Sequence, residues 1–407
     1  MSRSEIPLDI IQNVLENLDN SNDADSLKAL ALSCKSVLPL SQSRLFYSIS
    51  LPKNYSCQLK TILYDERLAQ ILRGSPYICA YVRSFEHIMD EDRDTSTVGF
   101  IISQLKHLQR LHLMHRGDPF NWNLLGFEDI DYTSAVYAAF RLPGFTHLRL
   151  SSVMNFPITE FTNKCKTLSV VELAAFHIGM ARLEGNGHVL ATPPPQAPRI
   201  RTYEANNLVS GRMVNRVNNM RCLYSTSPYF DFRSLKKLSV VWFCPPYVSI
   251  TKVIVDHTQG LECLRIRLVD RTKDATFSGL SAVICGSCIG TLTQLTVAFL
   301  AEAAKVTSTL CKELERIVVA PNVLKQITIM LIFDAPYQCY PDLDLKRLDS
   351  IISTEFSNLE TVTIALEVKE EHIRRFKDAN VIERFRQKFL QVNNVNKPKF
   401  ACILQSR

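Results

Sequence analysis

Apolar residues recur at helical spacing through residues 1–51 and at a different spacing after them. Ile10, Ile11, Val14, Leu15 and Leu18 fall on one face of a short helix. Pro7 stands at its start, where a missing N–H costs nothing, and Asp9 suits the first turn. A second periodic run holds Leu27, Leu30, Leu32 and Cys34. Pro39 interrupts it, and Leu40, Leu45, Phe46 and Ile49 form a third apolar set. Three helices this short cannot hide all that apolar surface among themselves, so another body must cover the remainder.

Gln58 to Arg73 reads as an amphipathic helix stopped by Gly74-Ser75-Pro76. From Val82 onward a short pattern, apolar-x-x-apolar-x-apolar, returns again and again. Val82/Phe85/His87, Leu108/Leu111/Leu113, Phe145/Leu148/Leu150 and Leu168/Val171/Leu173 carry it, and Ile200/Tyr203/Ala205 is a weaker copy. It recovers at Leu235/Leu238/Val240, Leu261/Leu264/Ile266, Leu292/Leu295/Val297, Leu314/Ile317/Val319, Leu324/Ile327/Ile329 and Leu359/Val362/Ile364. Helical runs such as Tyr132 to Arg141 and Asp344 to Thr354 lie between. The alternation predicts an α/β chain with parallel strands inside and helices outside. Leu324 follows Val319 too closely for a full repeat, so either Pro321-Asn322 turns tightly or one of the two matches is not a strand. The uncharged run Ala275 to Ala301 is long enough to span a bilayer. Its three glycines and several hydroxyl residues favour a buried helix followed by a buried strand. Gly185 to Arg199, with GNG and TPPPQAPR, reads as a long loop. Beyond Glu367, Ile373, Phe376, Val381, Ile382, Phe385 and Phe389 line a basic amphipathic helix that caps the last repeat, and Lys399 to Leu404 adds a final strand.

The order Ile6-Pro7, Asp9, Ile10-Ile11, Val14-Leu15, Leu18, Leu27, Leu32, Cys34 and Leu45-Phe46 resembles the F-box. The polar break Asp19 to Ser26 is longer than usual in that family, and the tryptophans common in its second half are absent. The later pattern resembles the strand segment of leucine-rich repeats, whose period is about 20–29 residues. Spacing here is irregular, and only Asn322 meets the Asn or Cys of that consensus. The family likeness is to the F-box proteins that fungi carry in large numbers. It implies an F-box-like unit at 1–51, a linking helix at 52–81 and a leucine-rich-repeat-like solenoid at 82–407. It further implies a substrate-recognition subunit of an SCF-type ubiquitin ligase. Ile6, Pro7, Ile10, Ile11, Val14, Leu15, Leu18, Leu27 and Leu32 would bind a Skp-type adaptor and, through it, a cullin-RING ligase. The repeats would bind a protein substrate. The alternative is a non-catalytic interaction scaffold without ubiquitin output.

Composition narrows this picture. The net charge of +7 on 407 residues is mild and spread out, which argues against a dedicated nucleic-acid binder. Hydrophobic residues make up 46%, enough for a real core. The 12 cysteines fall mostly inside apolar runs, as reduced thiols of a cytoplasmic or nuclear protein do, and no membrane contact is expected. Cys285-Gly286-Ser287-Cys288 has no second pair at ligand spacing and reads as two buried thiols. No metal or other cofactor is expected. The histidines form no H-x-x-x-H, no G-x-S-x-G elbow occurs, and the sequence nominates no nucleophile with its base, so no enzymatic activity is expected.

Residues alternating with the buried ones of each strand point to the opposite face. There the chain carries Arg110, His112, His147, Arg149, Glu172, Glu204, Ser239, Arg265, Arg267, Gln294, Thr296 and Arg316. The basic members, above all His112, Arg149, Arg265 and Arg267, suit an acidic or phosphorylated partner segment.

Overall fold

The structure, a computed structural model, describes residues 8–18, 23–51, 58–89, 95–115, 120–122, 125, 130–154, 156, 165, 167–174, 198–206, 230–242, 245–268, 276–301, 304–333, 345–378, 381–389 and 398–406. The chain divides into two compact units, Met1–Asn186 with Pro194–Pro198, and Gly187–Pro193 with Arg199–Arg407. Both are α/β, and every paired strand runs parallel to its neighbour.

The first unit opens with helices α1 (Leu8–Asn17), α2 (Ala24–Ser33) and α3 (Leu38–Leu45). Pro39 sits in the first turn of α3, where its missing N–H is harmless. Leu15, Leu27 and Val37 form the centre of this bundle, with Ile11, Leu18, Leu30, Leu40 and Leu45 packed around them. Strand β1 (Ser48–Leu51) follows immediately. It belongs to the sheet, although the sequence pattern assigns these residues to the helical unit. Next come α4 (Gln58–Gly74), β2 (Ser84–Met89), α5 (Thr95–Gln104), β3 (Arg110–His115), β4 (Phe120–Asn121), α6 (Ile130–Phe140), β5 (His147–Ser151), β6 (Val153–Met154) and β7 (Val170–Ala174). The sheet order is β1-β2-β3-β5-β7, with β4 and β6 pairing separately. Each main strand thus pairs with the next repeat in the chain, which keeps connections short and uncrossed. Helices α4, α5 and α6 pack side by side in the same order. Gly99 lets α5 approach α6 closely, because a Cβ there would stand 2.9 Å from the Tyr132 backbone.

The second unit holds β8 (Thr202–Asn206), β9 (Lys237–Trp242), α7 (Pro245–Asp256), β10 (Cys263–Leu268), α8 (Leu280–Ser287), β11 (Gln294–Leu300), α9 (Ala304–Val319), β12 (Gln326–Phe333), α10 (Leu345–Thr354), β13 (Thr361–Val368), α11 (Ile373–Asp378), α12 (Val381–Lys388) and β14 (Lys399–Ser406). Its strands again pair in chain order, and α7 to α10 form a row of neighbours. Within the uncharged run Ala275 to Ala301 the described residues form α8 followed by β11, as the pattern suggests. Among the described residues no helix is long and apolar enough to cross a membrane. The basic tail forms α11 and α12 in place of one helix. Phe333 meets Phe376 at 5.1 Å and Phe385 at 6.2 Å, and Phe389 stacks on Phe400 at 5.7 Å.

The leading apolar residue of each strand match (Val82, Leu108, Phe145, Leu168, Ile200, Leu235, Leu261, Leu292, Leu324, Leu359) lies just before its strand and is at most 3% exposed. The exception is Leu314/Ile317/Val319. These residues are the end of α9, where Leu314 and Ile317 are buried and Val319 is 87% exposed. Arg316 is therefore a helix residue, where its Nη1 donates to Glu313 Oε1 at 2.9 Å. Of the long loop that the sequence suggests, residues 185–197 lie outside the described residues. Arg199 is inside, bridging to Asp231 in the backbone.

Candidate interaction surfaces

Two kinds of surface stand out: the outside of the N-terminal helices, and the sheet face not covered by the helix layer.

The nine N-terminal positions separate by place. Leu15 and Leu27 are 2% and 0% exposed and close the bundle from within. Ile11 and Leu18 pack against that centre. Ile10 and Val14 are 50% and 51% exposed, one turn apart on the outer side of α1, and Leu32 on α2 is 87% exposed. Ile6 and Pro7 lie outside the described residues. The helical unit has its own small core, and Ile10, Val14 and Leu32 face outward from it.

On the helix-free face of the first unit, register lines up one residue from each strand: Ser50, Glu86, His112, Arg149 and Glu172. Their side chains pair across the row. Ser50 Oγ donates to Glu86 Oε1 at 3.3 Å, and His112 Nδ1 meets Glu86 Oε2 at 3.1 Å. Arg149 Nε lies 3.3 Å from Glu172 Oε2. From His112, Nε2 reaches Ser151 Oγ on the neighbouring strand at 3.2 Å. The hydrogen bond from His112 holds the Glu86 carboxyl below the usual carboxylate range, against the opposing effect of burial. His147, on the same face, is pushed below the ordinary imidazole range, first by burial and then by Arg110.

In the second unit the row Val241, Arg267, Ala298, Met330, Ala365 and Ile403 crosses the same kind of face. Ala298, Met330, Ile332 and Ala365 make an apolar cluster with Leu300 against it. The small alanines leave room for Arg267 to lie across the sheet, where its Nη2 donates to Glu367 Oε1 at 2.9 Å. The two side chains are 17% and 9% exposed. Arg265 is exposed, with Nη2 3.9 Å from Met330 Sδ.

Of the four basic residues that the strand pattern offers to an acidic partner, His112, Arg149 and Arg267 already face a carboxylate, and Arg265 faces none among the described residues. Glu86, Glu367 and Ser151 escaped the sequence reading. A signal existed for Glu86: with the repeats aligned on their apolar triplets, Glu86, His112, Arg149 and Glu172 occupy one column. Of the two cysteines that the sequence reads as buried thiols, Cys288 is buried and Cys285 is only half-buried. Burial pushes the Cys288 thiol up to about 12 and raises that of Cys285, so neither is poised as a thiolate. Among the described residues no group of His, Cys, Asp and Glu is arranged to hold a metal ion. No protein-family model and no curated protein matches the chain.

Proposed function

We propose that the chain is a substrate-recognition subunit of an SCF-type ubiquitin ligase, with α1–α3 docking on a Skp-type adaptor and a leucine-rich-repeat-like array holding a protein substrate. The observation that carries this reading is the division of apolar residues in the helical unit. Leu15, Leu27 and Val37 satisfy its core, while Ile10, Val14 and Leu32 remain large, apolar and solvent-facing. Large apolar side chains left outside a core that is already satisfied suit a protein contact. Pairing of the strands in chain order supports the repeat array. On the array, Arg265 is an exposed cation through which an acidic substrate segment would be gripped.

The test is purification of the full chain from its native cell with identification of what accompanies it. A Skp-type adaptor together with a cullin is expected. An adaptor without a cullin would support a scaffold with no ubiquitin output, and the absence of both would refute the reading.

A further inference from the structure

Three residues far apart in sequence converge on the helix-free face of the first unit, Glu86 and His112 from the middle of adjacent strands and Ser151 from the end of the next. Glu86 comes from β2, His112 from β3 and Ser151 from the last position of β5. His112 bridges the other two, with Nδ1 3.1 Å from Glu86 Oε2 and Nε2 3.2 Å from Ser151 Oγ.

The carboxylate fixes the direction of the first of these bonds. An ionised carboxylate only accepts, so Nδ1 carries the proton and donates to Glu86. In the neutral tautomer with that proton on Nδ1, Nε2 is the acceptor and Ser151 O–H donates to it. Ser50 Oγ donates to the other oxygen of Glu86 at 3.3 Å and fixes the carboxylate in turn. The result is a hydroxyl, its base and the group that orients the base, in the order that activates a serine. Arg149 stands two residues before Ser151 on the same strand and face, about 7 Å along it. Its Nε is paired with Glu172 Oε2 at 3.3 Å. Ser152, directly after, has φ 54°, a left-handed backbone uncommon for serine, and its carbonyl accepts from Phe120 N at 2.8 Å. That bond pins the turn on which Ser151 ends its strand.

We propose that Ser151 is an activated nucleophile, with His112 as its general base and Glu86 as the residue positioning that base, forming an acyl-transfer site for small carboxylic esters. Ser151 Oγ bonds to the ester carbonyl carbon as its proton passes to His112 Nε2. The carbonyl re-forms, the C–O bond to the alcohol breaks, and the alcohol leaves with that proton. Water then attacks the acyl-serine, His112 taking and returning a proton, and releases the carboxylic acid and free Ser151. This activity is independent of adaptor binding.

The test is labelling of the full-length protein with an alkyl fluorophosphonate, with the adduct mapped by peptide mass spectrometry, alongside hydrolysis of p-nitrophenyl acetate. A single adduct on Ser151 of the wild-type chain is expected. Ser151→Ala removes it, and His112→Gln slows its formation by about 100-fold or more. Glu86→Gln slows it less, because it leaves nucleophile and base in place. No adduct on Ser151 of the folded wild-type protein, or ester hydrolysis equal in wild type and Ser151→Ala, would overturn the proposal. The wild-type mapping decides even if a variant fails to fold.

Discussion

At the scale of single residues, helical spacing identified the apolar stripe of α1 but not how its members divide. An apolar stripe of about 100° can serve two covers at once. Here Leu15 turns inward to Leu27 and Val37, while Ile10 and Val14 turn outward, and only packing separates them. Partners of the basic strand residues were hidden for a related reason. Arg267 and Glu367 are three strands apart in the sheet, so no local pattern links them. Their pair is nearly buried and makes a clear test. Arg267→Met leaves Glu367 without its counter-charge and should cost about 3–5 kcal/mol. Because Arg267 Nε has no partner in its buried position, adding Glu367→Gln should recover most of that loss in denaturant melts. For the same reason Arg267→Glu is a poor probe of partner binding, since it sets two carboxylates together. Arg265→Glu is the clean one. A pH prediction rests on Asp231, whose carboxyl the Arg233 side chain holds below the usual range through bonds of 2.8 and 2.9 Å. A depressed carboxylate contributes stability above its unfolded value, near 4, and that contribution is lost as pH falls through the folded value. Asp231→Asn should therefore lower stability at neutral pH and flatten its decline below about pH 4, measured by chemical denaturation across pH.

Among elements, the strands were the most legible, because apolar-x-x-apolar-x-apolar joins a buried anchor to a period-two strand. The same spacing misread the end of α9. Leu-x-x-Ile-x-Val also fits a helix, and Val306, Leu310, Leu314 and Ile317 are buried at helical intervals of four, four and three. β1 went unseen because four residues are too few to show alternation. Contacts between helices were not legible at all. Glu313 of α9, 2% exposed, accepts from Ser281 N at 2.8 Å and Ser281 Oγ at 2.6 Å at the first turn of α8. It caps a neighbouring helix as an N-cap side chain would cap its own. Glu313→Ala should destabilise by about 1–2 kcal/mol, and amide exchange should rise first at Ser281 and its neighbours in α8. Equal protection of α8 in the variant would show that the cap is not needed.

For the whole molecule, the α/β class and the parallel pairing followed from alternation of strand and helix, and chain-order pairing followed from repetition. The division near residues 187–198 did not, because the strand pattern continues on both sides of it with no break in kind. The proposed function rests on the outward face of the N-terminal helices, and a binding titration of the full chain with a Skp-type adaptor tests it most directly. The wild-type chain should bind with a Kd of about 1 μM or tighter, near −8 kcal/mol. Val14→Asp, on the exposed side of α1, should abolish binding with the melting temperature unchanged. Leu15→Ala should instead lower bundle stability by about 2–5 kcal/mol. Binding by Val14→Asp equal to wild type, or no binding by the folded wild-type chain, would contradict the account.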